Sequence, residues 1–120
     1  MAEIAKAYYT AMAHKDMATL EQYLHPDVKI KTPLFALQGK EAVFGSVKNF
    51  SFFFTTLVIR AVCGSENHAM VAYLVTFPAP FGTVSSTAFL TFKDGLIADI
   101  ELLYDPRPFI PKVDEIIGKQ

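Results

Sequence analysis

The stretch VSSTAFLTFKDGLIADIELLYD, residues 84–105, sets two apolar-rich runs on either side of Lys93, Asp94 and Gly95. Asp-Gly supplies the positive φ that a tight hairpin turn requires, so residues 84–92 and 96–104 are expected to be antiparallel strands. Side chains of a strand alternate faces, which puts Leu96, Ala98, Ile100, Leu102 and Tyr104 on one side. Ile97, Asp99, Glu101, Leu103 and Asp105 take the other. The first face is almost wholly apolar and ends in a phenol, the make-up of a pocket floor; the second holds the acids and faces solvent or a partner copy.

Upstream, residues 68–77 read as a strand opening at His68 or Ala69, and residues 55–63 as another, rich in β-branched side chains. Gly64-Ser65-Glu66-Asn67 is a turn cluster between them. Pro78 and Pro80 interrupt pairing before the hairpin, because proline has no N–H to give to a ladder. Residues 40–53 carry Val43, Val47, Phe50 and Phe54 at helical spacing, with Phe44 beside that seam. Residues 34–39 form a loop, and residues 28–32 alternate Val28, Ile30 and Thr32 against two lysines, as a short strand with one wet face does. A first helix is expected over residues 2–13. A second, over residues 17–24, is capped by Asp16 and stopped by His25-Pro26. At the far end, residues 112–117 turn helical after three prolines, as a lid or an edge cover. Three N-terminal helices on a curved, mostly antiparallel sheet give an α+β domain.

A chain of 120 residues fits one domain spanning residues 1–120. Hydrophobic residues make up 52% and include eleven Phe, more than a core of this size needs, which leaves some for a pocket or a partner. The net charge of −1 provides no footprint for nucleic acid or an anionic membrane. Cys63 has no internal disulfide partner and reads as a small buried hydrophobe. Without a signal-peptide pattern or an apolar run of about 18 residues, a cytoplasmic protein is expected. His14, His25 and His68 lack the short spacings of a metal site, so neither metal nor other cofactor is expected.

The helix pair ending at Leu24-His25-Pro26-Asp27-Val28, the helix entry Gly39-Lys40-Glu41-Ala42-Val43, and Phe92-Lys93-Asp94-Gly95-Leu96-Ile97 leading to Leu103-Tyr104-Asp105-Pro106 together resemble the nuclear transport factor 2-like superfamily. Within it the likeness is to the SnoaL-like branch, relatives of polyketide cyclases and ketosteroid isomerase. The resemblance implies a cone whose sheet and helices enclose an apolar pocket, and a homodimer formed through the outer sheet face. It also places the isomerase's parts on this chain. The oxyanion-hole phenol falls on Tyr8, the general base on Thr32 and the oxyanion-hole acid on Ala88. Neither a hydroxyl without a basic partner nor a methyl group can do that work. For the cyclases and related epoxide hydrolases, the acid of the last strand falls at Leu102, or one residue earlier on Glu101, which the pleat turns outward.

The pocket face then consists of Tyr8, Thr32, Tyr73, Val75 and Phe77 with Ala88, Leu90, Ile100, Leu102 and Tyr104. Hydrocarbon with a few hydroxyls suits an apolar ligand oriented by one or two hydrogen bonds, although the same aromatics would also fill a closed core. Tyr8, Thr32, Tyr73 and Tyr104 are the expected polar contacts. Three functions stay open: a homodimeric small-molecule holder; an isomerase, dehydratase or cyclase with Asp27, Glu101 or Asp105 turned inward; and a protein-interaction module docking through its phenylalanines.

Overall fold

A computed structural model describes residues 1–107 and Phe109. The hairpin forms as the turn chemistry requires: Lys93 pairs with Leu96, and both Asp94 (φ 55°) and Gly95 (φ 75°) take the left-handed conformation between them. Its strands, β5 (Gly82–Lys93) and β6 (Leu96–Leu103), lie inside a six-stranded sheet. β4 (His68–Phe77) and β3 (Thr56–Gly64) extend it antiparallel on the β5 side. β1 (Leu24–Lys31) joins β6 in parallel, and β2 (Ala36–Gln38) pairs antiparallel with β1 at the edge, giving the order β2-β1-β6-β5-β4-β3.

The helices are α1 (Ala2–Ala13), the single-turn α2 (Met17–Glu21) and α3 (Lys40–Phe53). α1 packs over β3 and β4, and α3 over β1. The Asp16 carboxylate accepts from the Thr19 N–H at 3.3 Å, the cap that the sequence suggests. The Lys15 ammonium donates to the Phe54 carbonyl and lies 4.5 Å from the centre of the Phe54 ring, tying the α1–α2 turn to the end of α3.

Several expectations need correction. The second helix stops at Glu21 rather than at residue 24, because the Tyr23 carbonyl accepts from the Ile97 N–H at 2.8 Å and Leu24 pairs with Ile97. Sheet pairing outcompetes one more helical turn. The register jumps between Leu24 and Lys29, so His25, Pro26 and Asp27 fall in an irregular part of β1 where the missing proline N–H costs no ladder bond. The loop over residues 34–39 contains the short edge strand β2.

A second irregularity lies in β6. Asp99 faces Thr91 and Ile97 faces Phe92, which leaves Ala98 as an extra residue and breaks strict alternation. Ile97, expected outside, is therefore fully buried, while Ile100 stays in the core and Glu101 stays exposed. Cys63, expected to be buried, is exposed. The helix expected over residues 112–117 lies outside the described residues. No helix among the described residues is long and apolar enough to cross a membrane.

Candidate functional site

The concave face of the sheet is set by alternation along its central strands. Tyr73, Val75 and Phe77 of β4 and Val84, Ser86, Ala88 and Leu90 of β5 are all buried, because each sits on the inward side of the pleat. Cross-strand pairing sets Tyr73 opposite Ser86 and Val75 opposite Val84. Ile30 of β1, Leu102 of β6, and Ser46, Val47 and Phe50 of α3 close over this end of the sheet. Thr32, Phe35, Tyr104 and Phe109 complete the wall of a cavity of about 60 Å³. A water needs roughly 10–15 Å³ on this scale, so there is room for about four waters.

Aromatic rings seal one end. Phe77 contacts Phe50, Phe53, Phe81 and Phe109 at centroid distances of 5.8, 5.3, 6.4 and 5.0 Å, and Phe109 also stacks on Phe81 and meets Tyr104 edge-on. Phe109 is brought there by the turn after β6, in which Arg107 makes a two-pronged contact with the Asp105 carboxylate. That pairing holds the Asp105 carboxyl down at about 2.

The polar atoms of the wall are hydroxyls. The Thr32 hydroxyl accepts from the Leu34 and Phe35 N–H groups at 3.0 and 3.1 Å, so it is spent on holding the chain turn that presents Phe35. Burial pushes the Tyr104 phenol above its ordinary value, and a hydrogen bond with Thr32 moderates the rise. Burial also raises Tyr73, while Ser86 and Tyr9 beside it pull the other way. Burial raises the Tyr9 phenol as well, and the Tyr9 and Tyr73 rings lie 4.9 Å apart. Ser86 stands opposite Tyr73 on the neighbouring strand, and its Oγ makes no hydrogen bond of ordinary geometry. An orphaned buried hydroxyl typically costs about 1–3 kcal/mol.

Thr32, Tyr73, Phe77, Leu102 and Tyr104 thus meet at one cavity. Tyr8, Ala88 and Ile100 are buried on the inward side but do not reach it. Ala88 lies further along β5, paired with Val71 and Leu102, and Ile100 pairs with Leu90 deeper still. Tyr8 packs edge-on to Tyr9 at 5.0 Å, and burial raises its phenol far above the ordinary value. Asp27, Glu101 and Asp105 are exposed and absent from the wall. Ser86 and Phe35 escaped sequence reasoning, whereas Phe109 is expected on the apolar side of the tail, as a lid or an edge cover. For Ser86 a signal existed, since it alternates in phase with Val84, Ala88 and Leu90. Among the described residues no cluster of His, Cys, Asp and Glu side chains is arranged to hold a metal ion.

The phenols give a direct check on this burial. A group whose folded pKa lies above its unfolded value stabilises the fold below the unfolded value, and that contribution is lost as pH rises. In ultraviolet titration Tyr8, Tyr9 and Tyr73 should therefore remain un-ionised past pH about 10 and ionise only as the fold is lost. Reversible titration of these three near pH 10 in the folded protein would show them solvated.

The family model described as SnoaL-like domain matches residues 5–100. No protein of curated function matches the chain. Among solved structures, a steroid delta-isomerase from Pseudomonas aeruginosa aligns with TM-score 0.80 at 18% identity, over 98% of this chain and 88% of its own. An NTF2-like protein of unknown function from Cytophaga hutchinsonii aligns with TM-score 0.78 at 15% identity, over 88% and 90% respectively. A candidate polyketide cyclase from Sinorhizobium meliloti aligns with TM-score 0.76 at 22% identity, over 86% and 95%. At these identities the likeness establishes a shared fold, and it leaves the chemistry to the side chains.

Proposed function

The chain belongs to the SnoaL-like domain family, and on that premise we propose that it is a holder of small, uncharged, apolar molecules in the cone of that fold. The carrying observation is the composition of the cavity wall. Its polar groups are Thr32, Ser46, Tyr73, Ser86 and Tyr104, with no carboxylate, imidazole, amine or thiol among the wall residues. A raised phenol stays protonated near neutral pH, so Tyr73 and Tyr104 donate hydrogen bonds and do not abstract protons.

We assign residues 1–120 to one domain, with the single turn of α2 as the second of three helices. We assign it a cytoplasmic location with neither nucleic acid nor membrane as partner. A second copy would pair through the outer sheet face, where Val58, Met70 and Leu103 are exposed. An isomerase or cyclase reading draws on the isomerase and cyclase among the similar structures. It would require an acid or base that the wall lacks.

Amide NMR under xenon pressure separates these readings from an interaction module. Shifts should concentrate on Ile30, Val47, Val75 and Leu102. Shifts confined to the outer sheet face, or none, would contradict the reading. With a ketone in deuterated buffer, exchange at the α-carbon should stay at the uncatalysed rate.

A further inference from the structure

Phe109 lines the cavity and is 4% exposed, yet it comes from the segment after the last strand. Its ring stacks on Phe81 at 5.6 Å and stands edge-on to Phe77 and Tyr104 at 5.0 and 5.9 Å. Three rings in two orientations form a socket shaped to one aromatic ring. The backbone of Phe109 is held differently from that of the rings around it. Phe77 is locked into the β4–β5 ladder opposite Gly82. Phe109 depends on a local turn: its N–H donates to the Pro106 carbonyl at 2.9 Å, and the Asp105 carboxylate accepts from the Arg107 N–H at 3.0 Å and from the Arg107 guanidinium. Asp105 and Arg107 are both exposed, and exposed pairs of this kind stabilise little. A ring packed as core is thus tethered by a surface turn, which can open without breaking a ladder bond.

We propose that Phe109 is the chain's own occupant of the ring position in this site, a stopper that gives way to a guest carrying one aromatic ring on a single carbon, with its polar end left at the surface. The shape of the guest follows from the shape of the occupant. When the Phe109 ring leaves, the space it vacates is that of a benzyl group, continuous with the cavity of about 60 Å³ behind it. The guest's linking carbon takes the place of the Phe109 Cβ, and whatever it is attached to lies where the surface turn lies, in water. A charged group on the ring is disfavoured, since the wall supplies no charged side chain to meet it. Phe109 then sets both selectivity and affinity: a guest binds only the open state, so its apparent dissociation constant rises as that state grows rarer. This stopper presupposes that the cavity is a binding site, and it fixes the size and shape of what enters.

Benzyl alcohol reproduces the Phe109 side chain with a hydroxyl in place of the backbone, and it dissolves well enough for weak binding to be measured. Its dissociation constant is to be measured by NMR titration on the full chain and on the Phe109→Ala and Asp105→Ala variants. Phe109→Ala empties the socket and should bind it at least about tenfold more tightly than the unaltered chain. Asp105→Ala keeps every wall side chain and only loosens the turn, so it should gain about two- to fivefold, the reach of an exposed ion pair. A Phe109→Ala variant that gains nothing, with the unaltered chain still taking up xenon, would overturn the stopper and leave the cavity as a binding site. A gain in Phe109→Ala alone would mean that an ordinary core ring has been cut away, which overturns it too. If Phe109→Ala folds poorly, Asp105→Ala decides by itself. Failure of xenon and benzyl alcohol alike would sink the reading of the cavity along with the stopper.

Discussion

Phe77→Ala is expected to destabilise the fold by about 3–5 kcal/mol, the range for deleting a buried phenylalanine. Phe77 is 4% exposed and touches four other aromatic rings drawn from α3, the β4–β5 connection and the segment after β6. Its loss removes the ring that all of them share. Sheet backbone fixes one side of the gap, so the surroundings can collapse only partly and a cavity term adds to the lost transfer energy. Thermal unfolding should fall by about 10–20 °C for a domain of this length. Phe52, at 64% exposure, is the internal comparison: its alanine variant should stay within about 0.5 kcal/mol of the parent. A loss of only a degree or two for Phe77→Ala would mean that the ring cluster is loose and does not seal the cavity.

The second large effect belongs to Ala88→Asp, which returns an acid to the position that the isomerase resemblance assigns to one. Ala88 is 0% exposed and lies between Val71 and Leu102 in the ladder, outside the cavity wall. A carboxyl there meets hydrocarbon, so the cost should reach several kcal/mol through overpacking and desolvation together. Desolvation would raise the new carboxyl's folded pKa above its unfolded value. The penalty is then smallest below about pH 4, where both states hold the proton, and grows as pH rises through neutrality. Chemical denaturation at acid and neutral pH measures this directly. A small loss that does not vary with pH would mean that the carboxyl reaches water, and that the cavity extends to Ala88.

These two positions show what sequence pattern reaches and where it stops. Alternation along β4 and β5 assigns Phe77 and Ala88 to the inward face, and both are buried there. It does not say how far along the strand a residue sits. Phe77 and Leu102 therefore line the cavity, whereas Ala88 and Ile100 sit deeper, away from it. The Asp94-Gly95 turn was legible because its cause is local, a pair of left-handed residues closing a hairpin. The end of α2 at Glu21 was not, because it depends on Leu24 finding Ile97 some seventy residues later in the chain. Ala98 shows the same limit, since an extra residue against β5 turned Ile97 inward without any Gly or Pro to mark it.

The site divides along the same line. Tyr73 and Tyr104 stand out as phenols on an apolar face, and both reach the cavity. Ser86 is masked by a polar-looking Ser85-Ser86-Thr87 run, although its phase puts it among Val84, Ala88 and Leu90. Phe35 and Phe109 arrive from a turn and from the segment after the last strand, where period-two reasoning has nothing to count. Thr32 has the position of a base but the work of a turn, and only its bonds to Leu34 and Phe35 reveal this.

A crystal structure of the full chain under xenon pressure addresses the central claim most directly. The account predicts a xenon peak between Phe50, Phe77 and Val75, with hydrocarbon and hydroxyl atoms alone in contact with it. Peaks elsewhere only, or a Glu101 or Asp27 carboxylate turned in against the bound atom, would contradict it.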